Sequence, residues 1–291
     1  MIPVPFKLLA WLDALWLAER RRRLVDQVVT PGAGLHGHRS LPFELINDVW
    51  WPTGFPTMAH CFWRAQEASL FRRHGQFITG KVLDMGCGDG IFGELAGFPD
   101  DATGVDLDQP SLEVRRSVCK HAESVCADAR ELPFRTGTFQ TVVSNSVFEH
   151  LPDLAKCLAE ICRVLASDGC LAFTMTLQEF TRQLERMTGA RDAAYWIGTF
   201  GHLQQPTRNE LELLLEMSGF ELSEVAEYQP EWATAIYRRL VSPLAQFNER
   251  RWSPERRGAV IGRLTADVKR SLQLGQHQRG ACIWVVAHKR K

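Results

Sequence analysis

From Lys81 onward, short apolar runs alternate with longer stretches in which apolar residues recur every three or four positions. The short runs predict strands at 81–84, 101–106, 123–127, 141–144, 170–176 and 221–227. The periodic stretches predict helices near 91–97, 110–120, 152–165 and 207–218. Such alternation predicts an α/β fold, a parallel sheet with helices on both faces and ligands beyond the carboxyl ends of its strands. A last strand is expected at 281–287, after a long connection with helical patterns at 231–248 and 254–273. A connection of that length with its own helices reads as a functional insertion or an oligomer contact.

Upstream, 60–74 reads as helix, whereas 30–57 is rich in proline, glycine and tryptophan and predicts irregular structure. Leu8, Leu12, Leu15 and Trp16 share a helical face that is followed by Arg20, Arg21, Arg22 and Arg23. The run is too short to span a bilayer, and its charges follow the apolar stretch instead of preceding it, unlike an export signal. Two readings stand: packing on the domain, or a helix lying in a membrane surface. The chain thus divides into an extension, 1–74, and a domain, 75–291, with a lid at 177–206 and a helical insertion at 228–280.

Composition narrows the partners. Lysine plus arginine (34) balances aspartate plus glutamate (34), so no net field favours nucleic acid. Nine tryptophans and sixteen phenylalanines imply a large core or an apolar pocket. None of the eight cysteines stands in a C-x-x-C pair or at zinc-finger spacing, so neither a metal site nor a disulfide framework is expected. A reducing cytoplasm fits, with attachment to the inner membrane face as the variant that the two basic, apolar segments 6–23 and 231–273 suggest.

The chemistry concentrates after the strands. Val82-Leu83-Asp84-Met85-Gly86-Cys87-Gly88-Asp89-Gly90 is a strand entering three alternating glycines, a turn that lets backbone approach a ligand closely. Asp106, followed by Leu107, ends the second strand, where a carboxylate accepts ribose hydroxyls. Asp128, followed by Ala129, ends the third, where an acid accepts from an adenine amine. Asp84 is placed to receive a ligand ammonium. Gly88 to Gly93 also fits the dinucleotide pattern G-x-G-x-x-G, but Asp84 and Asp89 would oppose a pyrophosphate, and the pattern starts four residues past Asp84.

Taken together, V-L-D-M-G-C-G-D-G, G-V-D-L-D, C-A-D-A-R-E-L-P-F and F-Q-T-V-V-S-N-S-V-F-E-H-L-P-D resemble the small-molecule class I S-adenosylmethionine-dependent methyltransferases over about 78–176. The resemblance implies a Rossmann-like, mostly parallel seven-stranded sheet with a terminal antiparallel strand. It implies that Asp84 and Gly86, Cys87, Gly88 and Gly90 hold the methionine part of S-adenosyl-L-methionine. Asp106 would hold the ribose, and Asp128 with Ala129 the adenine. Ser144 and Asn145 would line the transfer centre.

His150 and His202 are the candidate bases. The segment after the fourth strand lacks the Asp/Asn-Pro-Pro-Tyr/Phe motif of amino-methylating enzymes on nucleic acid. The expected acceptor is therefore a small molecule or a lipid- or sugar-linked intermediate. A nicotinamide-linked oxidoreductase and a catalytically silent scaffold are the alternatives.

Overall fold

The computed structural model describes residues 43–46, 48–52, 57–119, 122–242, 245, 248–249, 251–273 and 279–290. The arginine-flanked helix expected at 6–23 lies outside them. Strands β1 (Phe43–Ile46) and β2 (Val49–Pro52) pair antiparallel ahead of helix α1 (Met58–Arg73). This hairpin corrects the expectation of irregular structure. Asp48, at φ 62°, takes the left-handed turn conformation between strands that end in apolar residues, and Trp51 is fully buried. Pro52 is the last residue of β2, and the other prolines and glycines of this segment fall outside the two strands in sequence.

The strand–helix alternation then follows. In chain order come β3 (Val82–Met85), α2 (Ile91–Ala96), β4 (Thr103–Asp106), α3 (Gln109–Val118), β5 (Ser124–Cys126), β6 (Phe139–Asn145), α4 (Leu154–Val164) and β7 (Leu165–Thr176). Helices α5 (Gln178–Thr188), α6 (Ala190–Phe200) and α7 (Arg208–Met217) lead to β8 (Phe220–Tyr228). Helices α8 (Glu231–Val241) and α9 (Pro254–Ser271) precede β9 (Cys282–Lys289).

The sheet order is β5-β4-β3-β6-β7-β9-β8; β3 to β7 are parallel, and β9 runs antiparallel between β7 and β8. This is the mostly parallel, Rossmann-like seven-stranded sheet expected. The chain moves outward from β3 to β5, then returns to the other side at β6. The crevice beyond the carboxyl ends of β3 and β6 is therefore the topological switch point, the usual ligand position in such sheets.

Local chemistry explains the boundaries. In α4, Asp153 caps the helix by accepting from Lys156 N at 3.0 Å. Its Leu154, Cys157, Leu158, Ile161 and Val164 repeat at helical spacing and are all buried, worth roughly 2 kcal/mol for each large aliphatic side chain. Thr207 and Glu210 form a capping box at α7. In β9 alternate residues feed the two faces: Ile283, Val285 and Ala287 one core layer, Cys282, Trp284 and Val286 the other. Such a strand, buried on both faces, reads as a continuous apolar run.

Helix α8 is shorter than the 231–248 pattern predicts. Ser242 is extended (φ −63°, ψ 143°) before Pro243, whose ring disfavours helix in the preceding residue. Helices α8 and α9 bury Ala233, Tyr237, Ile261, Leu264 and Val268 against Trp51 of the hairpin and Phe62 of α1. The apolar stripe of the insertion thus faces α1 and the hairpin. Among the described residues no helix is long and apolar enough to cross a membrane.

Candidate functional site

The glycine turn between β3 and α2 is built around Asp106. Gly88 N donates to Asp106 Oδ2 at 2.8 Å and Asp108 N donates to Oδ1 at 2.9 Å, while Gly86 N donates to Val105 O at 2.8 Å. Each Asp106 oxygen keeps a further lone pair, the capacity that two ribose hydroxyls require. Gly86, Gly88 and Gly90 all have positive φ (74°, 50° and 80°) but differ in surroundings. A Cβ on Gly86 would lie 2.2 Å from Val147 Cγ2, and one on Gly90 would lie 2.8 Å from Cys119 Sγ. A Cβ on Gly88 would meet no atom within 4 Å. Two of the glycines thus answer to packing, and Gly88 alone borders open space where a ligand can approach.

Asp84, at the end of β3, is 6% exposed, and burial pushes its carboxyl up to about 7. The Arg115 guanidinium opposes that rise and Asp106 adds to it. Arg115 lies almost fully buried beneath the turn and donates to Ala102 O at 2.9 Å. Sequence reading missed this cation, because nothing in the α3 pattern separates an inward arginine from a solvated one.

Leu107 follows Asp106 and is 63% exposed, an apolar surface beside that acid. Asp128 follows β5 with both oxygens held by Arg130 Nε, which keeps its carboxyl near a pKa of about 2. Ala129 is buried beside it, and Cys87 is buried in the turn.

Ser144 and Asn145, expected to line the transfer centre, stand at the carboxyl end of β6. Ser144 Oγ donates to Met85 O at 3.0 Å, tying β6 to β3. Asn145 Nδ2 donates to Glu67 at 3.0 Å, and its Oδ1 accepts from Thr174 Oγ1 at 2.8 Å. Their polar groups are occupied within the fold. The residues of this loop that reach open space come next in sequence.

Ser146, Glu149 and His150 line a cavity of about 190 Å³ with His60, Trp63 and Arg64 of α1, Thr176, Phe180, Phe200, His202 and Tyr237. Both candidate histidines meet here, their ring centroids 5.2 Å apart. Burial lowers both, His202 to about 4, so each imidazole is neutral near pH 7. His150 Nδ1 sits 3.1 Å from Gly201 O; a carbonyl only accepts, so Nδ1 carries the hydrogen and Nε2 keeps its lone pair. Leu203 N and Gln204 N donate to Glu149 O at 2.7 and 3.0 Å, which fixes the 201–206 segment over the cavity.

Three carriers of this site were not singled out by the sequence. Glu67 is fully buried and accepts from Trp63 Nε1 (2.9 Å), Arg64 Nη1 (2.6 Å), Asn145 Nδ2 (3.0 Å) and the Ser146 hydroxyl. Arg64 is its ion-pair partner. Glu149 is 1% exposed, and burial pushes its carboxyl up to about 8. The first two lie in the segment read as an extension, so their role depends on a contact across almost eighty residues.

Residues 83–173 match the family described as "Methyltransferase domain". The malonyl-[acyl-carrier protein] O-methyltransferase of Geobacter sulfurreducens is 33% identical over 165 residues, 52% of this chain and 61% of that protein. The ubiquinone biosynthesis O-methyltransferase of Coxiella burnetii is 25% identical over 205 residues, 64% of this chain and 83% of that protein. The chain therefore spans less than two thirds of the malonyl-carrier relatives it matches. Among solved structures, phosphoethanolamine N-methyltransferase 2 of Haemonchus contortus, in complex with S-adenosyl-L-methionine, superposes with a TM-score of 0.53 at 20% identity, covering 79% of this chain and 53% of that one.

Proposed function

We propose that this chain, a member of the methyltransferase-domain family through residues 83–173, transfers a methyl group from S-adenosyl-L-methionine to a small or carrier-linked acceptor held in the 190 Å³ cavity. One observation carries the reading. Val147 packs on Gly86 of the glycine turn, while its neighbours Ser146, Glu149 and His150 line the cavity. A single short loop is thus the shared wall of the cofactor cleft and the acceptor cavity, the arrangement an in-line transfer between two bound molecules requires.

The cleft suits this cofactor better than a dinucleotide. Its open glycine stands beside two acids and an exposed leucine, with no phosphate-facing lysine or arginine in the turn. The bound cofactor supplies an activated methyl on a sulfonium. Asp84 answers the cation's charge, Asp106 the ribose hydroxyls and Leu107 the flat face of the base. In the cavity, Trp63, Phe180, Phe200 and Tyr237 exclude water and hold an apolar acceptor body. His150 Nε2 is positioned to take the proton of an acceptor hydroxyl or acid. The carrier-linked and quinone-type acceptors of the two relatives fall within what this cavity admits as a terminal group.

The test supplies methyl-labelled S-adenosylmethionine with free carboxylic acids, phenols and acyl-carrier thioesters. Label in one acceptor class, with stoichiometric demethylated product and a rate at least tenfold lower in His150→Ala, is the expected result. Cofactor binding with no label in any of the three classes would contradict the acceptor reading.

A further inference from the structure

We propose that Glu149, His150 and His202 form a binding site for a divalent transition-metal ion of the zinc class, open to the acceptor cavity at its remaining positions. The inference rests on the reading of that cavity as the acceptor site and deepens it. His150 and His202 are 52 positions apart in sequence, and the 201–206 segment brings them together. One ligand atom from each lies within 4.8 Å of the others. Around a tetrahedral ion with bonds near 2.0–2.1 Å, neighbouring ligand atoms stand ~3.3 Å apart. The ligand atoms would therefore have to approach one another by about 1.5 Å to close the set.

Two independent features point to a ligand here. The first is Glu149 Oε2, which is buried and has no hydrogen-bond partner. A buried acceptor left bare is costly, and most such atoms in folded proteins find a partner. The rest of the Glu149 carboxyl is served by the backbone of Thr176 and of its own residue, so the bare oxygen is the one free to coordinate. The second feature is how the imidazoles are held. His150 Nδ1 is tied to the Gly201 carbonyl, and His202 Nδ1 lies 3.3 Å from the Thr176 hydroxyl and 3.5 Å from Gln205 Nε2. Metal-binding histidines are commonly oriented this way, one ring nitrogen hydrogen-bonded and the other left for the ion.

The donor set selects the class of ion. Two imidazoles and one carboxyl group match zinc, cobalt or ferrous iron; magnesium and calcium prefer oxygen donors throughout. His150 is exposed, which leaves the ion a path from solvent. Three protein ligands would leave a zinc-class ion a position for a further ligand, and the cavity that the three residues line also contains Ser146, Thr176 and the aromatic side chains. An acceptor oxygen bound there loses its proton to water at a lower pH than the free acceptor does. The ion would then replace His150 as the means of deprotonation, and both histidines would serve as ligands.

The experiment uses the full chain, stripped with a chelator and then titrated with Zn²⁺ by calorimetry and with Co²⁺ by visible absorption. Wild type is compared with Glu149→Gln, His150→Ala, His202→Ala and the triple variant, folding being checked by circular dichroism. One equivalent of ion, Co²⁺ bands in the visible, and at least tenfold weaker binding in both histidine variants are expected. S-adenosylmethionine is titrated in parallel, because its cleft does not contain these residues. Zn²⁺ binding no tighter in wild type than in the triple variant, or a Co²⁺ spectrum that survives the triple substitution, overturns the proposal. Metal binding without cofactor binding would overturn the methyltransferase reading and leave the site standing, so the two failures are distinguishable.

Discussion

Gly88 N donates to Asp106 Oδ2 at 2.8 Å, so the glycine turn after β3 and the acid that ends β4 form one unit. The space on the far side of Gly88, and the crowding at Gly86, separate two roles that the spacing of the glycines makes look alike. Alanine at either position meets the left-handed backbone, at about 1–2 kcal/mol. At Gly86 it also collides with Val147, and a clash in a packed interior adds about 1–3 kcal/mol. Gly86→Ala should therefore melt well below Gly88→Ala, while Gly88→Ala weakens cofactor binding with little further loss of stability. Thermal melts and cofactor titrations of the two variants check this; equal melting temperatures would refute it.

Asp84 gives the cleft a pH dependence of defined sign. Its carboxyl is pushed up to about 7, so in the free protein it is neutral below that pH and charged above it. A cationic ligand binds the charged form, and affinity should fall as pH drops from 8 to 6. Near pH 7, binding should release a fraction of a proton as the ligand draws Asp84 into its ionised state. Calorimetry of S-adenosylmethionine binding in buffers of different ionisation enthalpy measures that proton directly. Asp84→Asn should lose both the release and the slope; a slope unchanged in the variant would assign it elsewhere.

Glu67 couples helix α1 to the loop after β6. It accepts from Trp63, Arg64, Asn145 and Ser146, and Ser146 takes a positive φ of 50° to reach it. Glu67→Ala strips four donors of their acceptor and leaves Arg64 without its ion-pair partner. Losing one partner of a buried pair costs about 3–5 kcal/mol, and the partial exposure of Arg64 places the expected value near the lower end, about 3 kcal/mol. Chemical denaturation checks the magnitude. Glu67→Gln, which keeps one acceptor, should recover part of the loss.

The domain was largely legible because its strands are separated by periodic helices and each strand ends in chemistry. Asp84 and Asp106 stand at the ends of β3 and β4 and Asp128 just past β5, a spacing that points to the proposed cofactor cleft without any knowledge of contacts. The acceptor cavity was not legible to the same degree. His150 stands beside the fourth strand, but His202 joins it only because the 201–206 segment bonds to Glu149 O. Arg64 and Glu67 lie in a helix whose pattern has no strong apolar face, and their value comes from what they meet in the fold. The hairpin at 43–52 was hidden by neighbouring prolines and glycines, whose turn propensity is indifferent to whether strands lie between them.

Calorimetric titration of the folded, purified chain with S-adenosylmethionine and with its demethylated product, in wild type and Asp106→Ala, tests the central claim most directly. The account predicts micromolar binding of both ligands by wild type, and a loss of at least tenfold in Asp106→Ala as the ribose contact and the Gly88 tether disappear together. No binding by folded wild type, with heat instead on addition of NAD, would contradict it and return the glycine turn to a dinucleotide.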